Sequence, residues 1–166
     1  MSLLLQTGTG NEILRKISKP ISEITKKTLK LIKEMEKTMD KEKGIGLAAP
    51  QVGINERLIL VTIDNKKIVP MINPEIIEMS EENCIDEEGC LSLPGEFAPI
   101  IRAKEITVRY QTPKKQTLTV NLADFNARVV QHEVDHLNGV LFTDYLNLED
   151  RIMQQLQSMK DNETVK

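Results

Sequence analysis

The sequence predicts an α+β fold. Three observations carry this reading: an amphipathic helical pattern early in the chain, two alternating strand patterns joined by a short polar loop, and a helix after them that is apolar on most sides. Ser22 to Asp40 forms the first helix. Thr28, Leu31, Ile32, Met35 and Met39 fall on one face, lysines and glutamates lie elsewhere, and Gly44 stops it. Leu58 to Val61 is a buried strand, followed by a turn at Asp64-Asn65. Ile106, Val108 and Tyr110 alternate with polar residues, as do Leu118, Val120 and Leu122. Thr112 to Lys115 between them is a hairpin loop. The second helix runs from Asp124, its N-cap, to Asn138, with Gly139 as the stop. Phe125, Val129, Val130, Val134 and Leu137 make it apolar nearly all round, which places it centrally. A third helix spans Leu148 to Met159 and packs by a stripe of Ile152, Leu156 and Met159. The polar stretch from Lys160 to Lys166 is expected to be a frayed tail.

The 166 residues make one domain, long enough to bury a substantial core. A net charge of −3 argues against a nucleic-acid binder steered by bulk charge, and no direct sequence-specific nucleic-acid binding is expected. No apolar run approaches the ~20 residues of a membrane span, and Leu3 to Leu5 is too short for a signal-peptide core. Two cysteines without a secretory signal point to a reducing compartment, hence the cytoplasm.

Both histidines of the chain sit in His132-Glu133-Val134-Asp135-His136. Side chains at i and i+4 share a helix face, so two imidazoles there can grip one metal ion with Glu133 beside it. Random placement of two histidines gives this spacing roughly 1 time in 85, and roughly 1 in 800 with Glu after the first, for the H-E-x-x-H pattern. A buried polar cluster inside an apolar helix is costly unless it is occupied.

A catalytic metal needs a third protein ligand and an open position. Downstream, Glu149 is the first Glu, but Gly139 ends the helix before it. Upstream, Cys90 stands in Glu88-Gly89-Cys90-Leu91-Ser92-Leu93-Pro94-Gly95, where a thiolate is a strong soft ligand. Cys84 with Cys90, His132 and His136 would instead make a closed structural site. The separation of Cys90 from His132 is far beyond the ~12–15 residues of a zinc finger, and such a site has no use for Glu133. Cys84 therefore reads as an ordinary thiol.

A third unusual stretch is Gly44-Ile45-Gly46-Leu47-Ala48-Ala49-Pro50-Gln51, where small residues let backbone approach closely and Gln51 is polar in apolar company. Gly44 to Gln51, Glu88 to Ser92 and Gln131 to His136 together resemble the peptide deformylase family, whose motifs G-x-G-x-A-A-x-Q, E-G-C-x-S and Q-H-E-x-D-H occur in this order. The resemblance runs from about Asn11 to Asn147 and looks like the shorter bacterial type.

The resemblance implies antiparallel sheets packed around the helix that carries the histidines. It implies hydrolysis of the formyl group from N-formylmethionyl nascent peptides. It implies Fe2+ at Cys90, His132 and His136, with Zn2+, Ni2+ or Co2+ as substitutes; ligand chemistry alone does not separate iron from zinc. Glu133 is then the proton carrier, and the Gln51 side chain and Leu91 backbone N–H are the oxyanion donors. Gly46 and Leu91 are close walls that exclude acyl groups larger than formyl. Gly44 to Gly46 and Leu93 to Gly95 pair with the peptide backbone, and Ile45, Phe125 and Val129 receive the methionine side chain. Glu88 and Arg102 form an ion pair behind the site, and Gln131 and Asp135 orient ligands. Bacterial members dock on the ribosome through a basic C-terminal helix. Here Arg151, Lys160 and Lys166 are offset by Glu149, Asp150, Asp161 and Glu163, so that attraction is weak. The competing readings are a metal peptidase with the same grip and a non-enzymatic zinc module, against which the intact Glu133 and Gln51 argue.

Overall fold

The computed structural model describes residues 2–164. In chain order these form α1 (Glu12–Arg15), α2 (Lys26–Lys41), β1 (Gly46–Ala48), β2 (Leu58–Ile63), β3 (Lys67–Met79), β4 (Asn83–Cys90), β5 (Leu93–Ala103), β6 (Glu105–Gln111), β7 (Thr117–Ala123), α3 (Asp124–Leu137) and α4 (Leu148–Thr164). The α+β class holds. Five strands make one antiparallel sheet in the order β1-β2-β3-β6-β7, and β4 and β5 pair as a separate antiparallel ribbon.

Alternation explains the larger sheet. Ile106, Val108 and Tyr110 of β6 point into the core beside Ile59, Val61 and Met71. Ala127, Val129, Val130, Val134 and Leu137 of α3 close over them. The opposite surface of β1 and β2, with Leu47, Leu58 and Leu60, meets Ile32, Met35 and Met39 of α2. The turn at Asp64 and Asn65 forms with both residues at positive φ, which Asp and Asn tolerate.

Four boundaries depart from the sequence reading. The first helix begins at Lys26, because Ile21 and Ile24 enter the core from a bent, non-helical segment that the Asn73 amide clamps through Ile21 N–H and C=O. The Thr28 hydroxyl then accepts from the Thr25 N–H at 3.1 Å and starts the helix. That helix ends at Lys41, and Lys43, not Gly44, adopts the left-handed turn. Asp124 is not the N-cap of α3: Ala123 holds that position, and Asp124 enters at φ 54° with its N–H donating to Lys104 C=O at 2.8 Å. Helix α4 continues to Thr164, through most of the expected tail; Val165 and Lys166 lie outside the described residues. Its stripe does not pack as expected, since Ile152, Leu156 and Met159 are 48%, 49% and 63% exposed.

Candidate metal centre

Helix α3 carries His132, Glu133 and His136 on its last two turns, and β4 ends at Cys90. Cys90 pairs with Leu93 across the two-residue turn Leu91-Ser92, which aims the thiol at the helix. Its Sγ lies 3.3 Å from His136 Nε2, and one ligand atom each from Cys90, His132 and His136 falls within 4.8 Å of the others. The two imidazoles meet edge to face with centroids 5.1 Å apart.

Strand alternation sets Glu88 on the same side of β4 as Cys90. Its Oε1 sits 2.8 Å from His132 Nδ1, so the ring's Nε2 is the nitrogen left to meet Cys90. Arg102 of β5 grips the same carboxylate twice, through Nε and Nη2 at 2.9 Å each, and Arg128 of α3 adds a third bond at 2.6 Å. All three residues are buried. The expected Glu88–Arg102 pair is therefore present, and Glu88 also fixes the orientation of His132. Arg128 was not foreseen, although its place four residues before His132 puts it on the same helix face.

Burial disfavours the charged form of Glu88, but hydrogen bonds from Arg102 and His132 outweigh it and hold the carboxyl well below the usual range. Burial likewise opposes charge on His132, yet Cys90, Glu88 and Glu133 lift it to about 10. His136, buried and next to His132, is pushed well down and stays neutral. Burial, with help from the Glu88 and Asp135 charges, raises Glu133 to about 7. Glu133 Oε2 and His136 Nδ1 are buried and lack a hydrogen-bond partner among the described residues. A divalent cation fits this donor set: one thiol and two imidazoles converge on one point.

The closed alternative does not form. Cys84 stands six residues up β4, where Arg128 donates to its C=O at 2.9 Å and its Sγ at 3.5 Å. Among the described residues, the metal-competent group holds Cys90 and both histidines, without Cys84.

Gln51 lies in a 3-10 turn, Ala49–Val52, that Pro50 helps to start. Its Oε1 accepts from Ala48 N–H at 2.8 Å, which turns the amide NH2 toward Ser92 Oγ at 3.1 Å and Cys90 Sγ at 3.6 Å. Gly46 of β1 lies flat against Glu133: an added Cβ would come 2.5 Å from Oε1 and 2.9 Å from Cγ. A cavity of about 620 Å3 opens in front of these groups. Gly44, Ile45, Gly46, Gln51, Leu91, Gly95, Phe125 and Val129 line it with Cys90, His132 and Glu133. Leu93 does not. Its side chain is buried with Ala98, Ile100, Leu141 and Phe142, and its backbone pairs with Cys90. Its expected role, pairing with a peptide through the backbone, does not depend on that side chain, but two expectations about ligand support change. Gln131 binds Ala103 N–H and C=O and Ala127 C=O, joining α3 to β5, and touches no ligand. Asp135 accepts from Arg102 at 2.6 Å and reaches His132 only through that residue and Glu88.

A sequence profile of the polypeptide deformylase family matches residues 6–152. The peptide deformylase of Halothermothrix orenii is 48% identical over 145 residues, which are 87% of this chain and 94% of that one. A peptide deformylase crystal structure from Legionella pneumophila superposes with a TM-score of 0.89 at 34% identity, over 99% of this chain and 97% of that one. The Met-Ala-Ser-bound class I type b peptide deformylase from Acinetobacter baumannii gives 0.84 at 38% identity, over 88% of this chain and 99% of that one.

Proposed function

The chain belongs to the polypeptide deformylase family, and from that premise we infer which of its residues carry out the reaction. It is a metal-dependent hydrolase that removes the formyl group from the N-terminal formylmethionine of newly made polypeptides. We assign the metal to Cys90, His132 and His136, and its identity to Fe2+, for which Zn2+, Ni2+ or Co2+ can substitute. When bound, such an ion polarises a carbonyl and makes a neighbouring water more acidic.

The rest of the work falls to the chain's own groups. Glu133 accepts a proton from the attacking water and passes one to the departing nitrogen. The C–N bond breaks, formate leaves, and a free amine remains on the methionine. The buried Glu133 oxygen without a hydrogen-bond partner is available for both halves of that transfer. The Gln51 amide and the Leu91 N–H donate to the oxygen of the formyl group as it gains charge. Gly44 to Gly46 and Leu93 to Gly95 flank the peptide backbone, and Ile45, Phe125 and Val129 take the methionine side chain. The relative solved with Met-Ala-Ser supports a peptide in the cavity.

Finished copies act in the cytoplasm, a reading supported by the two free thiols. No helix among the described residues is long and apolar enough to cross a membrane. Docking on a ribosome through α4 has little electrostatic support, since four acidic residues offset Arg151, Lys160 and Lys166.

The observation that carries the assignment is the convergence of Cys90, His132 and His136 on one point beside a buried Glu133 at the floor of the cavity. The test is formate release from formyl-Met-Ala-Ser by protein prepared without oxygen. Cleavage of unformylated peptides without formate release would replace the assignment with a peptidase.

A further inference from the structure

One short turn touches His132 directly at one end and the ion-pair chain behind it at the other. It is the 3-10 segment Phe142–Tyr145, just before α4. The Phe142 ring stacks on the His132 imidazole, with centroids 6.2 Å apart and planes at 28°. Three residues on, the Tyr145 hydroxyl donates to Asp135 Oδ2 at 2.8 Å, the oxygen that also accepts from Arg102 Nη1 at 2.6 Å. The Tyr145 ring lies under the same guanidinium, whose carbon is 4.9 Å from the ring centroid.

We propose that Tyr145 is a positioning residue for His132, acting through Asp135, Arg102 and Glu88. A guanidinium is a rigid planar fork, so its two bonds to Glu88 require its plane to be fixed. Asp135 holds the third nitrogen, and the Tyr145 ring supports the face. The hydroxyl locks Asp135 in turn. Burial and the Asp135 charge push the phenol up to about 12, so it remains a donor at any working pH. Glu88, fixed in this way, sets the angle of His132 through the 2.8 Å bond to Nδ1.

The inference rests on the assignment of His132 and Cys90 as metal ligands, and its test separates the two ideas. Tyr145→Phe keeps the ring and removes only the hydroxyl. Partners directly behind a metal ligand are typically worth about 10–100-fold in metal affinity, and a more remote link should cost about 3–10-fold. Cobalt affinity, measured by competition with a chelator, should fall by that factor in Tyr145→Phe. The thermal midpoint of the metal-free protein should fall by no more than the few degrees that one lost hydrogen bond costs, about 2–4 °C per kcal/mol. In Asp135→Ala the added Tyr145→Phe change should cost nothing more, because the hydroxyl acts through that carboxylate. Unchanged cobalt affinity or additive losses would overturn the proposal. The thiolate–cobalt absorption band should vanish in Cys90→Ser; its survival there would overturn the ligand assignment instead.

Discussion

Glu88 shows how few residues define this centre. One buried carboxylate receives Arg102 twice and Arg128 once, and its remaining contact orients His132. The two histidines that can grip a metal were legible together in the sequence, because helix spacing alone puts His132 and His136 on one face. Their supports were less so. Gln131 adjoins His132 in sequence but lies about 100° around the helix, facing β5. At this scale Glu133→Ala should keep its metal and lose about 10²–10⁴-fold in turnover, the usual worth of a general acid–base group. Wild-type turnover with metal content confirmed would remove Glu133 from the mechanism. Cys90→Ser should lose metal and activity together, whereas Cys84→Ser should keep both. Metal analysis of the pair, prepared side by side, decides the matter.

Elements with strong periodicity were readable, and those defined by pairing partners were not. The β6–β7 hairpin and α3 announce themselves by alternation and by a helical run. The segment Asn83–Cys90 is mostly polar, and its partner β5 carries Ile101 exposed to 60%, so neither shows a one-sided apolar pattern. The ribbon exists because the two strands satisfy each other's backbone, with Ile85 opposite Ile101. The site depends on it for Glu88, Cys90 and Arg102. Gly139, the stop of α3, was read correctly, and its surroundings sharpen the reason. It has φ 72°, and a Cβ there would lie 2.4 Å from the Arg15 carbonyl oxygen. Gly139→Ala should therefore destabilise the protein by about 1–3 kcal/mol, the scale of local backbone strain. For a chain of this size each kcal/mol lowers the thermal midpoint by about 2–4 °C. A melt indistinguishable from wild type would show that α1 yields without cost.

Across the whole molecule, the centre joins β1, the Gln51 turn, the β4–β5 ribbon, α3 and the turn before α4. The order of the three motifs along the chain revealed the family, but the distances between them in space could not be read from that order. The ligand set predicts behaviour in air. Ferrous iron with an open position reacts with oxygen, and a thiolate beside it can be oxidised in turn. Iron-loaded protein should lose activity in air over hours, while nickel- or cobalt-loaded protein outlasts it. Following formate release with and without oxygen after loading each ion checks this, and equal lifetimes for iron and nickel would count against iron. The dispersal of the centre along the chain also bears on its synthesis. Gly46 emerges long before His136, and at about 5–20 residues per second the missing helix trails it by several seconds. A growing copy cannot assemble its centre until α3 has left the ribosome with the strands that hold it. An enzyme that processes unfinished proteins is thus inactive while it is itself unfinished, and each new copy depends on earlier ones for any processing it needs during synthesis.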